Sequence, residues 1–138
     1  MKYEKQIIDD IFKCYAVNSL NIDGEYRLIF AGEGNGCCYV FSGKNFSEKE
    51  TIWEGGGGTM SIVPIPEKDG YFFASKGFYS MVEATTSHVV LVRYKDDIFT
   101  VEKVIEIPYL HRFDILNANE KRYFIGASIC SAKESKED

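Results

Sequence analysis

The chain has 138 residues, 45% of them hydrophobic and 14% aromatic, enough for one domain with a sizeable core and too apolar for a disordered segment. Net charge is −5 with no basic patch, which argues against nucleic acid and anionic membranes as partners. No leader is expected and no apolar run approaches the roughly 20 residues of a membrane helix, while Cys14, Cys37, Cys38 and Cys130 lack zinc-site spacing and predict free thiols in a reducing cytoplasm, with no metal or other cofactor.

Residues 1–14 come first. Ile7, Ile8, Ile11 and Phe12 sit at helical spacing. The segment also occupies the place of a strand preceding the first repeat, so it is expected to be a leading outer strand or a short helix. Strands are predicted at 15–20, 26–32, 37–42 and 50–54, with turns at Asn21–Gly24 and Glu33–Gly36. After the run Gly55-Gly56-Gly57-Gly58, strands are predicted at 59–65 and 71–75. A longer excursion at 76–87 leads to the continuous apolar run 88–94, typical of a buried strand, and to an outer strand at 98–107. The last pair is expected at 109–116 and 122–130, before a charged tail, 131–138, that reads as frayed.

A thirteen-residue unit recurs along this series. Ser19–Ala31 returns at Ile62–Ala74 after 43 residues and at Ile115–Ala127 after 53 more, aligned without a gap. Each copy reads as the end of an apolar strand, a polar turn and an aromatic-rich strand. A β-only repeat of this period predicts a β-propeller blade. The fold class expected is therefore all-β, a partial propeller of four-stranded antiparallel blades, in one domain. Blade one would span 15–54, blade two 55–107, and an incomplete blade three 108–138. About two and a half blades cannot close a ring of the usual four to eight. The chain is then a piece of a longer propeller, half of a ring completed by a second copy, or an open sheet.

The segment Val17–Gly32 resembles the blade motif of integrin-α-type and VCBS-type propellers, in which an acidic loop joins two apolar strands. Asn21, Asp23 and Gly24 match that loop; Ser19 and Arg27 stand where acidic residues are usual. The resemblance implies a calcium loop in the family. Here two oxygen-bearing side chains fall short of the six or more oxygens that calcium takes, and an Asx-type turn is the alternative.

Inner strands of blades line a central channel, so their first residues face one mouth. The repeat alignment brings Tyr15, the run Gly55, Gly56, Gly57, Gly58 and Thr59, and the pair His111 and Arg112 to corresponding positions. Glycine amides can meet an anion or a sugar oxygen. The same run can equally be a crossing between blades. His111 suits a general base or metal ligand, Arg112 a carboxylate clamp, and Asp114 a partner to either. Strand alternation, however, separates His111 from Arg112 and Asp114. His88 is expected to be a satisfied, half-buried histidine. Glu33 and Glu83 are loop carboxylates. The clusters 71–73 and 123–124 suit blade packing or a stacking platform for sugars. Three functions remain open: a module binding a saccharide, another small polar ligand or a protein at the channel mouth; a carbohydrate-active lyase, dehydratase or hydrolase using His111; and a half-ring that mainly self-associates.

Overall fold

The computed structural model describes residues 2–130, so the tail expected to fray lies outside the described residues. Among the described residues there are ten strands and one 3₁₀ turn, Lys44–Phe46, and no helix long and apolar enough to cross a membrane. The first sheet is a meander of β1 (Cys14–Ile22), β2 (Glu25–Gly32), β3 (Cys38–Ser42) and β4 (Glu48–Trp53). The second repeats it with β5 (Ile62–Pro64), β6 (Tyr71–Lys76), β7 (His88–Lys95) and β8 (Ile98–Glu106). The third holds only β9 (Leu110–Ala118) and β10 (Lys121–Ser128). Every pairing is antiparallel. The protein is thus all-β, built from two four-stranded sheets and a two-stranded one.

Tight turns make the meanders possible. Asp23-Gly24, Asp96-Asp97 and Asn119-Glu120 each carry two successive positive φ values, of 52° and 84°, 53° and 62°, and 51° and 61°. Two left-handed central residues define the type I′ hairpin, whose twist matches that of the flanking strands. Asn21 closes the first of these turns by accepting the Gly24 N–H on its side-chain oxygen at 3.0 Å, the Asx arrangement that the sequence allowed.

The sheets stack in chain order. Leu20, Ile22, Ile29, Ala31, Cys38 and Val40 of the first sheet meet Ile62, Phe72, Ala74, Val90 and Val92 of the second in the main core. The opposite face of the second sheet, through Val63, Phe73 and Val89, meets Leu110 and Phe113 of the third. Strand alternation alone allows the middle sheet to serve both neighbours.

Two expectations need correction. The gap-free alignment holds between the first and third copies, where Ile22 pairs with Glu25 and Ala118 with Lys121 across two-residue turns. It fails in the second, where Pro64 pairs with Phe72 and the Ile65 N–H donates to Tyr71 O around the wider turn 66–70. Phe72 and Ala74 therefore face back toward Ile29 and Ala31, the residues they align with, instead of pointing the same way along the stack. The second correction concerns residues 2–11, which form neither strand nor helix. They run across the outward face of the first sheet, past Phe30 and Phe41. Gln6 Nε2 donates to Asn45 O at 2.8 Å, and Asp9 pairs with Lys49 at 2.6 Å.

Candidate functional site

The first strands of the three sheets converge. Residues 15–18 of β1, 60–64 at β5 and 112–115 of β9 line one cleft of about 510 Å³. Hydrogen bonds tie these walls together: Asn18 Nδ2 donates to Ile62 O at 2.8 Å, Phe113 N–H to Ser61 Oγ at 3.4 Å, and Arg112 Nη1 to Met60 O.

A bulge shapes the same end of two of the walls. On β1, Cys14 pairs with Gly32 and Ala16 with Ala31, leaving Tyr15 without a cross-strand partner. On β9, Leu110 pairs with Ser128 and Arg112 with Ala127, leaving His111 in the same position. A bulge bends its strand and re-aims the extra side chain. As a result the Tyr15 ring meets both His111, edge to face at 6.3 Å between centroids, and the Arg112 guanidinium at 4.8 Å from its centroid. The sequence expectation had His111 and Arg112 on opposite faces; the bulge overrides that separation. Phe78 adds a third aromatic contact, 5.4 Å from the His111 ring.

Burial, and secondarily the Arg112 charge, hold His111 below the usual histidine range. The imidazole is therefore neutral at pH 7, able to donate from one nitrogen and accept at the other. Asp114 lines the cleft but turns Oδ1 to the Ile115 N–H at 2.7 Å, so it neither orients His111 nor pairs with Arg112. What the cleft offers is a cation over an aromatic ring, Arg112 on Tyr15, with the His111 imidazole in contact with that ring. Such a surface suits a polar ligand with hydroxyl or carboxylate groups.

Gly55, Gly56, Gly57, Gly58 and Thr59 lie beside this cluster as a packed crossing between the first and second sheets. The amides of Gly56, Gly58 and Thr59 donate to Asn35 Oδ1, Gly34 O and Gly32 O. The carbonyls of Gly57 and Gly58 accept from Gly77 and Phe78. A side chain on Gly57 would land on Gly36 O, and one on Gly58 would lie 2.5–2.8 Å from the Phe78 backbone. Those three amides are thus committed to structure, and the site is narrower than the sequence suggested. His88 is half-buried with Nδ1 2.9 Å from Thr86 O. Glu33 lies 3.9 Å from Lys13, and Glu83 closes a local turn with Ser80.

Sequence reasoning missed two buried serines, of which Ser75 lies beneath the cleft. Ser75 Oγ accepts from both Met60 N–H and Ser61 N–H, at 2.9 and 3.0 Å. Ser87 Oγ donates to Ile107 O and accepts from Leu110 N–H. Both serines are fully buried. Ser75 follows a repeat unit directly, and Ser87 precedes His88 of β7, but nothing local distinguishes a serine that clips two strands from one on the surface. No protein-family model, curated protein or solved structure matches the chain.

Proposed function

We propose that the chain is a partial β-propeller that binds a small polar ligand of the saccharide class in the cleft between its inner strands. The observation that carries this reading is the convergence of β1, β5 and β9 on one cleft, with Tyr15 and Arg112 in its lining and His111 packed against Tyr15. Each of these strands opens its own antiparallel meander, which is the place of an inner strand in a blade. Aromatic faces take the apolar side of a sugar ring, and Arg112 favours sugars that carry a carboxylate. His111 is packed edge-on against two rings and Asp114 is held by its own backbone, which favours binding over proton transfer. A second reading, a carbohydrate-active lyase, dehydratase or hydrolase with His111 as base, draws support from burial holding His111 neutral, the form that can accept a proton.

The test is a panel of neutral and acidic oligosaccharides, followed by calorimetry on the chain and on Arg112→Ala. Binding of an acidic saccharide that weakens about tenfold or more in Arg112→Ala, a loss of ~1.4 kcal/mol, supports the proposal. No saccharide binding at all, or binding indifferent to Arg112, overturns it. Turnover of the bound sugar that disappears in His111→Ala selects the second reading.

A further inference from the structure

Among the described residues the third sheet has a bare edge. β10 is hydrogen-bonded to β9 on one side, and among the described residues no strand pairs with its other side. The first two sheets each carry two more strands at that place. Every β10 residue is exposed, and Tyr123, Phe124 and Ile125 stand among the exposed large apolar side chains. Next to this edge is a groove of about 670 Å³, walled by Tyr71, Phe73, Leu91, Val104, Ile105 and Phe124. An unpaired edge beside an apolar groove is a place for an added strand, whose backbone pairs with the edge while alternate side chains fill the groove.

The same chain carries an extended segment with no ladder of its own. Residues 2–11 lie on the first sheet with Ile8 and Ile11 half-buried, while Ile7 and Phe12 are each 79% exposed. Ile8 and Ile11 are already seated on their own chain, while Ile7 is bare. Its seat, past Phe30, Phe41, Asn45 and Lys49, is at the level of β2 to β4 on the outward side of the first sheet. This is where the missing outer strands of a neighbouring third sheet would stand.

We infer that residues 3–11 form a strand on β10 of a second copy, with Ile7 in that copy's groove. A second copy is the partner that supplies both halves of the joint, one bare edge and one ladderless segment per chain. The exchange is then reciprocal, giving a closed two-fold pair instead of an open fibre. Ile7, the strand backbone and the groove wall are buried at each joint, and with two joints the total comes within reach of the roughly 1,200 Å² at which stable interfaces begin. Of the cleft residues only Ile115 also lines the groove, and Tyr15 and Arg112 take no part, so this inference stands or falls separately from the ligand.

Sedimentation velocity on the full chain tests it, with Ile7→Asp as the segment variant and Ile105→Glu as the groove variant. The parent is expected to be a dimer and each variant a monomer. Mixing the two variants restores one intact joint and recovers a heterodimer. Arg112→Ala remains dimeric. A second measurement needs no variant: β10 amides of the parent exchange more slowly as its concentration rises. A parent that stays monomeric at about 100 µM, where a micromolar joint would be filled, overturns the inference. Dimers that persist in both variants, or β10 exchange that ignores concentration, do the same.

Discussion

The rings of Tyr15 and His111 meet edge to face because each belongs to the residue that a bulge leaves unpaired, one on β1 and one on β9. Equivalent irregularities in two copies of a repeat are retained features of the ladder rather than defects. The outer strands show the same pattern. A bulge falls between Cys38 and Tyr39 where β3 pairs with β4, and another between Val89 and Val90 where β7 pairs with β8.

The packing of His111 predicts a pH dependence. Its folded-state value is depressed, first by burial and then by Arg112. Above the unfolded value, near 6.5, both states carry a neutral ring and the group has no effect. As pH falls through that value the unfolded chain takes up the proton first, so stability declines. Denaturant midpoints measured between about pH 7.5 and about pH 5.5 should fall for the parent. They should fall less for His111→Phe, which keeps the ring contacts with Tyr15 and Phe78.

The serine clip at Ser75 has a large expected cost. Ser75→Ala leaves two buried N–H groups, those of Met60 and Ser61, without their acceptor. Each unsatisfied donor costs about 1–3 kcal/mol, so urea unfolding should show a loss of roughly 2–6 kcal/mol. Ser80→Ala, on an exposed turn, should lose no more than about 0.5–1 kcal/mol.

Steric room separates the glycines. Gly34 has φ +57° with open space where a side chain would go, so Gly34→Ala meets only the left-handed penalty of roughly 1–2 kcal/mol. Gly58 has φ +54° and adds a clash with the Phe78 backbone. Gly58→Ala should cost at least about 1–3 kcal/mol more than Gly34→Ala. Equal losses in the two variants would show that the crossing is looser than its packing implies.

Two I′ turns lack glycine at their second central residue. Glu120→Gly relieves a left-handed residue and should stabilise by about 0.5–1 kcal/mol. At Asp97 the same change also removes the hydrogen bond from Tyr94 Oη to Asp97 Oδ1, at 2.9 Å. A bond of this kind is worth about 1 kcal/mol, so Asp97→Gly should come out near neutral. Thermal melts of the two variants side by side check the contrast.

These residues also show what was legible in the sequence. The strands could be found because alternation and turn residues are local signals, and the Asp23-Gly24 turn names its own geometry. The face each strand presents was legible only where the turn kept its length. The wider turn at 66–70 moved Phe72 to the other side of its sheet, and a one-residue slip reverses every side chain. Bulges leave no such mark, which is why His111 and Arg112 were assigned to opposite faces although both touch Tyr15. For the opening segment, the helical spacing of Ile7, Ile8, Ile11 and Phe12 gave way to contacts with Phe30, Phe41 and Lys49. A segment this short makes at best a marginal helix by itself.

Cys38 sits fully buried in the seam between the first and second sheets, and burial pushes its thiol up, out of the reactive range. Its neighbour Cys37 lies on the other face, partly open to solvent, and Cys14 is exposed. Adjacent positions in the chain therefore form a built-in pair of probes, one partly open to an alkylating reagent in the folded state and one shielded until the two sheets part. Tracking the second by mass spectrometry would time the breathing of that seam, with the first as its internal reference.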